Sequence, residues 1–431
     1  MLRNDIDAGH SARPQNLSYP AGGATGTQYG QRGVIVAPPS RNTDQSKPAD
    51  MTILHCGFDT LTLAVQANIP PVLFDHLDAE RERAEQERQD VLVEYNGIHL
   101  HLKSHGGHGY RFIASGGPHG ATWFFKKPNP KDAWGIRVNF GSTFLALNGL
   151  GAAKAHLEMV TAALGIRYGA DDISISRADF CVDVLAPHFE LNPEQFVMHS
   201  SAGRRDFVKE TDKAVHGRSG RTTSVTVGSS RNRQVIVYDK RAEIIHSGKA
   251  HWWEIWNMEL RRNGLSEVDP KCADSSRVWR VEFRAGKDLL KDRWNIRTWA
   301  QFFDRFGDLC RETGEVVRYT EPNATDCNRA RWPNHLIWEL ACSEMNGDLM
   351  EMRSGCDPNP LKEVHKEQQI SMILRNVLGC TVTLAALRGV QYSELPGFFQ
   401  TTADELTHKS RLYPEKVAKQ LEDARNRYVF I

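Results

Sequence analysis

From Thr52 onward, apolar and polar positions alternate over residues 53–65, with β-branched side chains and a single acid, Asp59, in the middle, which predicts a strand. Pro70 and Pro71 then open a helical stretch over 72–90. Its second half mixes Glu80, Arg81, Glu82, Arg83, Glu85, Glu87 and Arg88, the pattern of an exposed helix face held by pairs one turn apart. Residues 91–95 and 97–103 read as strands around the turn residues Asn96 and Gly97. The stretches 110–114 and 135–140 continue the β pattern, and 152–164 forms an amphipathic helix closed by Gly165 as a C-cap. Three further strands follow at 175–184, 224–238 and 277–284, the second folded into a hairpin near 229–232. None is the unbroken apolar run of a parallel core strand. The pattern therefore predicts an α+β fold, with a largely antiparallel sheet, helices on one face and the other face open.

The two ends differ from this middle. Residues 1–50 are rich in Gly, Ser, Pro, Asn and Gln without apolar clustering, the composition of a disordered tail. Residues 321–333 form a polar break containing Pro and Asn, so a folded domain is expected over 51–319 and a helical C-terminal region over 320–431. In that region Leu361, Val364, Ile370, Ile373, Leu374 and Val377 recur at helical spacing, and Pro414 suits the first position of a last helix.

Composition narrows the class. The 431 residues are 40% hydrophobic and 25% charged, enough for a substantial core. With no apolar run approaching the ~20 residues that span a bilayer, and no export signal at the N-terminus, the expectation is a cytoplasmic protein without a membrane partner. The eight cysteines contain no CxxC pair, which argues against a structural zinc site of the usual spacing. A net charge of +1 offers nucleic acid no global attraction. Locally, however, Arg204, Arg205, Lys209, Lys213, Arg218, Arg221, Arg231, Arg233, Lys240 and Arg241 give a basic stretch suited to phosphate contacts.

Three strands carry the candidate chemistry. On Arg177-Ala178-Asp179-Phe180-Cys181-Val182-Asp183-Val184, alternation places Arg177, Asp179, Cys181 and Asp183 on one face and apolar residues on the other. Two carboxylates at i and i+4 on a straight strand stand ~13 Å apart. One is therefore expected to bind a cation directly and the other to support it. In Val235-Ile236-Val237-Tyr238-Asp239-Lys240-Arg241-Ala242-Glu243, continued alternation puts Tyr238 beside Lys240, a phenol beside a cation that favours its ionised form. Arg280, Glu282 and Arg284 share the polar face of the third strand. A nucleophile, hard oxygen ligands for a divalent cation and nearby positive charge are together the requirements of phosphodiester transfer.

The succession "SRADFCVDV", "TVGSSRNRQVIVYDKRAE" and "WRVEFR", preceded by "HCGFDTLTLAV" and "VNFGSTFLAL", resembles the replication initiation factor family of rolling-circle plasmids and filamentous phages over residues 51–290. The resemblance implies a fold distantly akin to the His-hydrophobic-His nickases. It also implies a Mg²⁺- or Mn²⁺-dependent endonuclease and strand transferase that nicks and rejoins origin DNA, single-stranded or in a hairpin, through a 5′-phosphotyrosine. Carried over by position, Tyr238 is the nucleophile, Lys240 neutralises phosphate charge, and Asp179, Asp183 and Glu282 supply the metal site. Arg177 and Arg280 assist at the DNA, where Arg231, Arg233 and Arg241 add contacts. Host helicase and polymerase are the implied partners, and a homodimer is compatible with the reading.

A rival metal site is legible too: Ile98-His99-Leu100-His101-Leu102 places His99 and His101 on one strand face, although His105 and His108 nearby also fit a merely His-rich hairpin. Two other functions remain open, a relaxase using the same chemistry and a non-catalytic DNA-binding regulator in which Tyr238 is dispensable.

Overall fold

The computed structural model describes residues 51–198, 213–350 and 352–430. The predicted tail and, from the basic stretch, Arg204, Arg205 and Lys209 lie outside the described residues. Among the described residues thirteen strands are present: β1 (Thr52–Val65), β2 (Val91–Tyr95), β3 (Ile98–Leu102), β4 (Phe112–Ser115), β5 (Thr122–Phe125), β6 (Ile136–Phe140), β7 (Ile173–Leu185), β8 (Phe196–Met198), β9 (Lys213–Arg218), β10 (Arg221–Gly228), β11 (Arg233–Asp239), β12 (Val278–Ala285) and β13 (Val317–Tyr319). The helices are α1 (Pro71–Glu87), α2 (Ser142–Ala163), α3 (Lys240–Ser247), α4 (His251–Arg262), α5 (Trp299–Val316), α6 (Leu336–Ser343), α7 (Pro358–Leu387), α8 (Leu395–Leu412) and α9 (Pro414–Arg427).

Eleven strands form one sheet in the order β2-β3-β4-β5-β6-β1-β7-β12-β11-β10-β9, while β8 and β13 pair separately. Every neighbouring pair is antiparallel. The fold is thus α+β, a large antiparallel sheet with helices and a helical C-terminal region. Local chemistry explains the hairpins: Asn96 and Gly97 both take positive φ at the β2–β3 turn, the backbone a two-residue hairpin turn requires. Glycine is the residue that adopts such a φ without strain.

The long strands have one apolar face. Phe58 of β1, Phe180 of β7 and Phe283 of β12 meet there, and Phe302 and Phe306 of α5 pack their rings on Phe58. All five are essentially sealed from solvent. Burying each such ring contributes about 2–3 kcal/mol, so this layer holds the strands in register. The opposite face is polar, and helix reaches it as well: Trp252 and Trp256 of α4 cover the β1–β7–β12 end.

Three local expectations change. The second helix starts at Ser142 rather than near 152, because helical structure lies on both sides of a break at Gly149, whose φ of 75° is in the left-handed region. The alternation expected to carry on through Lys240 stops at Asp239, because the Asp239 side chain accepts the Ala242 N–H and caps α3. In the C-terminal region, α7 spans 30 residues, and its stretch 370–387 contains Arg375 as its sole charged residue. By length and composition this helix is apolar enough to cross a membrane, contrary to the expectation from the sequence, and little of that stretch is buried.

Candidate active site

The polar face of β1, β7, β12 and β11 gathers the chemistry. Thr60 of β1 pairs with Asp179 of β7, and Arg284 of β12 pairs with Asp179 from the other side. A register shift between Phe58 and Thr60 marks a bulge at Asp59. Bulges re-aim a side chain locally, and here Asp59 joins the polar face. One carboxylate oxygen each from Asp59, Asp179 and Glu282 lie within 4.8 Å of one another.

Arginines frame this trio. Arg177 hydrogen-bonds both oxygens of Asp179, with Nε at 3.0 and 2.9 Å. Arg284 donates to Asp179 at 3.1 Å, to Glu282 at 2.7 Å and to Gln234 at 2.8 Å. Burial still pushes the Asp179 carboxyl above its ordinary range. Glu282 is displaced further, to about 7, first by burial and then by the negative charges of Asp59 and Asp179. Asp59 goes the other way: burial opposes its ionisation, but Arg280 and Lys240 outweigh that and hold it below the usual range. Three hard oxygen donors, two of them buried and repelling a third, are a donor set that a small divalent cation fits, and Mg²⁺ or Mn²⁺ is the matching class.

Asp183 stands outside the trio. Its two oxygens accept Arg280 Nε at 2.5 Å, Arg280 Nη2 at 2.7 Å and Trp256 Nε1 at 2.9 Å. Arg280 also donates to Asp59, and its guanidinium lies 4.5 Å from the Trp252 ring centroid. It is fully buried, so it braces two acids instead of facing a nucleic acid.

Tyr238 sits directly across from Arg280 on β11, and Glu282 is its diagonal neighbour, ~7 Å away by sheet geometry. The Tyr238 ring is partly exposed. Burial raises its phenol well above the ordinary value, with Arg280 opposing and Glu282 adding to the rise. Lys240, the first residue of α3, nonetheless returns to the phenol, its Nζ 3.5 Å from the Tyr238 hydroxyl. The same ammonium pairs with Glu243 at 2.7 Å and lies 5.1 Å from the Trp252 ring centroid. Burial, then the Arg280 charge, lowers the pKa of Lys240.

The basic residues divide. Arg231 is 80% exposed and pairs with Asp288 at 3.3 Å. Arg233, two positions on, points to the apolar side, where it bonds Thr313 and Glu312 at 3.0 Å each and is 1% exposed. Its expected DNA contact therefore gives way to a structural one. Arg241 is tied to Ser276 and to the Pro270 carbonyl, each at 2.9 Å. Arg218 is exposed on β9, the sheet edge two strands from β11.

The rival histidines are remote. His99 and His101 lie on β3, seven positions along the sheet from β11, or ~34 Å at the usual strand spacing. His99 faces Glu94, and the His101 ring meets Phe430. The sequence pattern places Asp59 in its strand without assigning it a role; the signal available is one acid inside an otherwise apolar strand. Trp256 as a partner of Asp183, and the reach of Arg284 across to Asp179, also emerge from the structure alone.

No family model matches the sequence, and no curated protein does. Among solved structures, the rolling circle replication initiator protein from Geobacillus stearothermophilus aligns with a TM-score of 0.33 and 14% identity, over 70% of this chain and 98% of that one.

Proposed function

We propose that this chain is a divalent-metal-dependent DNA nickase and strand transferase that uses Tyr238, acting as a rolling-circle replication initiator. The observation that carries the reading is the trio Asp59, Asp179 and Glu282 on the same sheet face as a partly exposed tyrosine on the adjacent strand. A Mg²⁺ or Mn²⁺ ion held by these three carboxylates would polarise the scissile phosphate. The protein's own groups do the rest. Tyr238 gives up its phenolic proton to solvent water and its oxygen attacks phosphorus. The bond from phosphorus to the 3′ oxygen breaks, that oxygen takes up a proton from water, and the 5′ phosphate remains on the tyrosine. Lys240 stabilises the phenolate and the phosphate charge from 3.5 Å. Arg280 and Asp183 keep Asp59 and β12 in place. Arg218, exposed on edge strand β9, and Arg231, exposed in the turn before β11, would bind the flanking backbone.

The test uses a single-stranded origin oligonucleotide labelled at either end, with Mn²⁺. The downstream fragment should migrate with the protein under denaturing conditions, and the upstream fragment should run free and be extendable by a polymerase. Two protein-free fragments would mean hydrolysis, and binding without cleavage would mean a regulator.

A further inference from the structure

A second cluster, chemically unlike the first, lies where three separate segments meet. His119 comes from the turn between β4 and β5, His251 is the first residue of α4, and His365 lies in the first turns of α7. The ring centroids are 4.9 Å apart for His119 and His365, 5.0 Å for His251 and His365, and 6.4 Å for His119 and His251. Both nitrogens of His119, Nδ1 of His251 and Nε2 of His365 are sealed from solvent and have no hydrogen-bond partner. Unpaired buried ring nitrogens are costly, and three rings converging on one place multiply that cost.

We propose that His119, His251 and His365 form a binding site for one divalent transition-metal ion, Zn²⁺ foremost, which fastens α7 to the sheet domain. Imidazole is a ligand for Zn²⁺, Cu²⁺ and Ni²⁺ and a poor one for Mg²⁺, so this site and the carboxylate trio select different metals. The spacing approaches what the ion needs. With nitrogen ~2.0–2.1 Å from zinc, the centroids of three imidazoles in a tetrahedral arrangement stand ~5 Å apart. Two of the three pairs already do; the third, at 6.4 Å, leaves the ring nitrogens too spread to share an ion until the turn carrying His119 moves inward by ~1.5 Å. His251 is further prepared: its Nε2 is 3.0 Å from the Thr143 hydroxyl, which leaves Nδ1 to bind and orients the ring. Burial, with the neighbouring histidines as the next cause, lowers the pKa of His119 to about 4 and that of His251 to about 3, so both are neutral and metal-competent at neutral pH. Lys362 near His119, and Lys249 and Lys240 near His251, weigh against cation binding without occupying the nitrogens.

The site differs from a cysteine-based zinc motif in drawing its ligands from positions 119, 251 and 365, far apart in sequence. Three protein ligands leave the fourth position to water. Because α7 carries one ligand, metal binding is coupled to docking of the C-terminal helices.

Co²⁺ is the probe, added to the full chain after chelation and dialysis. One equivalent should bind with the intense visible absorption of tetrahedral cobalt and be displaced by Zn²⁺. His119→Gln and His365→Gln, both on partly exposed rings where loss of fold is not expected, should each weaken binding at least tenfold. Glu282→Gln and Asp179→Asn should leave it unchanged. An absent tetrahedral spectrum, or binding that survives both histidine changes, overturns the proposal. So does binding that follows the carboxylate variants instead. These readouts need no nicking activity, so they stand or fall apart from the function proposed above.

Discussion

Lys240 Nζ lies 3.5 Å from the Tyr238 hydroxyl although the two residues belong to different elements, the end of a strand and the first turn of a helix. The helix cap at Asp239 makes this possible, since it turns the chain back over the phenol. If Tyr238 is the nucleophile, Tyr238→Phe should abolish the covalent DNA adduct and reduce nicking by about a thousandfold or more. Stability should change by less than ~1 kcal/mol, because one partly exposed hydroxyl contact is lost. Lys240→Gln should keep the adduct but slow its formation roughly a hundredfold. Gel analysis of the adduct with thermal melting separates these outcomes, and a Tyr238→Phe protein that still forms the adduct would move the nucleophile elsewhere.

The acids should sort by their partners. Asp59→Asn, Asp179→Asn and Glu282→Gln should each weaken Mn²⁺ binding at least tenfold, because a neutral amide is a poorer ligand for a hard cation. Asp183→Asn should act mainly on stability, since it removes the carboxylate that holds two nitrogens of the buried Arg280 and leaves Asp59 as its remaining charged partner, a loss of about 2–3 kcal/mol. His99→Ala, at the far end of the sheet, should alter neither. Mn²⁺ titration beside chemical denaturation distinguishes the two classes, and a stable Asp183→Asn protein that has lost its metal would return Asp183 to the ligand set.

Metal binding should depend on pH through Glu282. Its carboxyl titrates near 7 in the folded protein against an ordinary 4.5, so between these values the folded state holds a proton that the unfolded chain has lost. Metal-free stability therefore falls as pH rises through that window and levels off above it. A cation must displace the proton, so Mn²⁺ affinity should climb from about pH 5 to 7 and then flatten. Calorimetry at pH 6 in two buffers of different ionisation enthalpy should register about one proton released per ion. Glu282→Gln should release none, and a pH-independent affinity would show that Glu282 is not a ligand.

The course of the chain explains how much of this is legible in the sequence. Strand faces follow from alternation alone, so the polar sets Arg177, Asp179, Asp183 and Arg280, Glu282, Arg284 are visible, and the Asn96-Gly97 turn announces its hairpin. Pairing across the sheet is not local information. That β1 lies against β7, with a bulge that turns Asp59 toward Asp179, depends on contacts more than a hundred residues apart in sequence. Nor does a strand pattern show which acid an arginine will claim: Asp179 and Asp183 look alike in sequence, and only the position of Trp256 on α4 and of Arg280 on β12 separates them. Strand β5 escapes detection because its four mostly buried residues show no alternation, and edge strand β9 because it is almost wholly exposed and has no apolar face.

Where β11 begins, rather than alternation, divides two arginines that the sequence presents as a pair. Arg231 precedes β11 and is exposed, whereas Arg233 begins the strand on the face opposite Tyr238, where Glu312 and Thr313 hold it. Affinity for single-stranded DNA should fall linearly with salt on a log–log scale, since each phosphate contact releases counterions. Arg231→Ala should lessen that slope by about one phosphate contact's worth while leaving the melting temperature nearly unchanged. Arg233→Ala should leave the slope alone and destabilise the fold by about 2 kcal/mol or more, because it removes a buried guanidinium from a pair whose other member is partly exposed. Salt titration of fluorescence anisotropy for both variants decides the matter. An Arg233→Ala protein of normal stability with a flattened salt slope would place the DNA on the opposite side of the sheet from Tyr238, and with that the tyrosine could not be the group that attacks it.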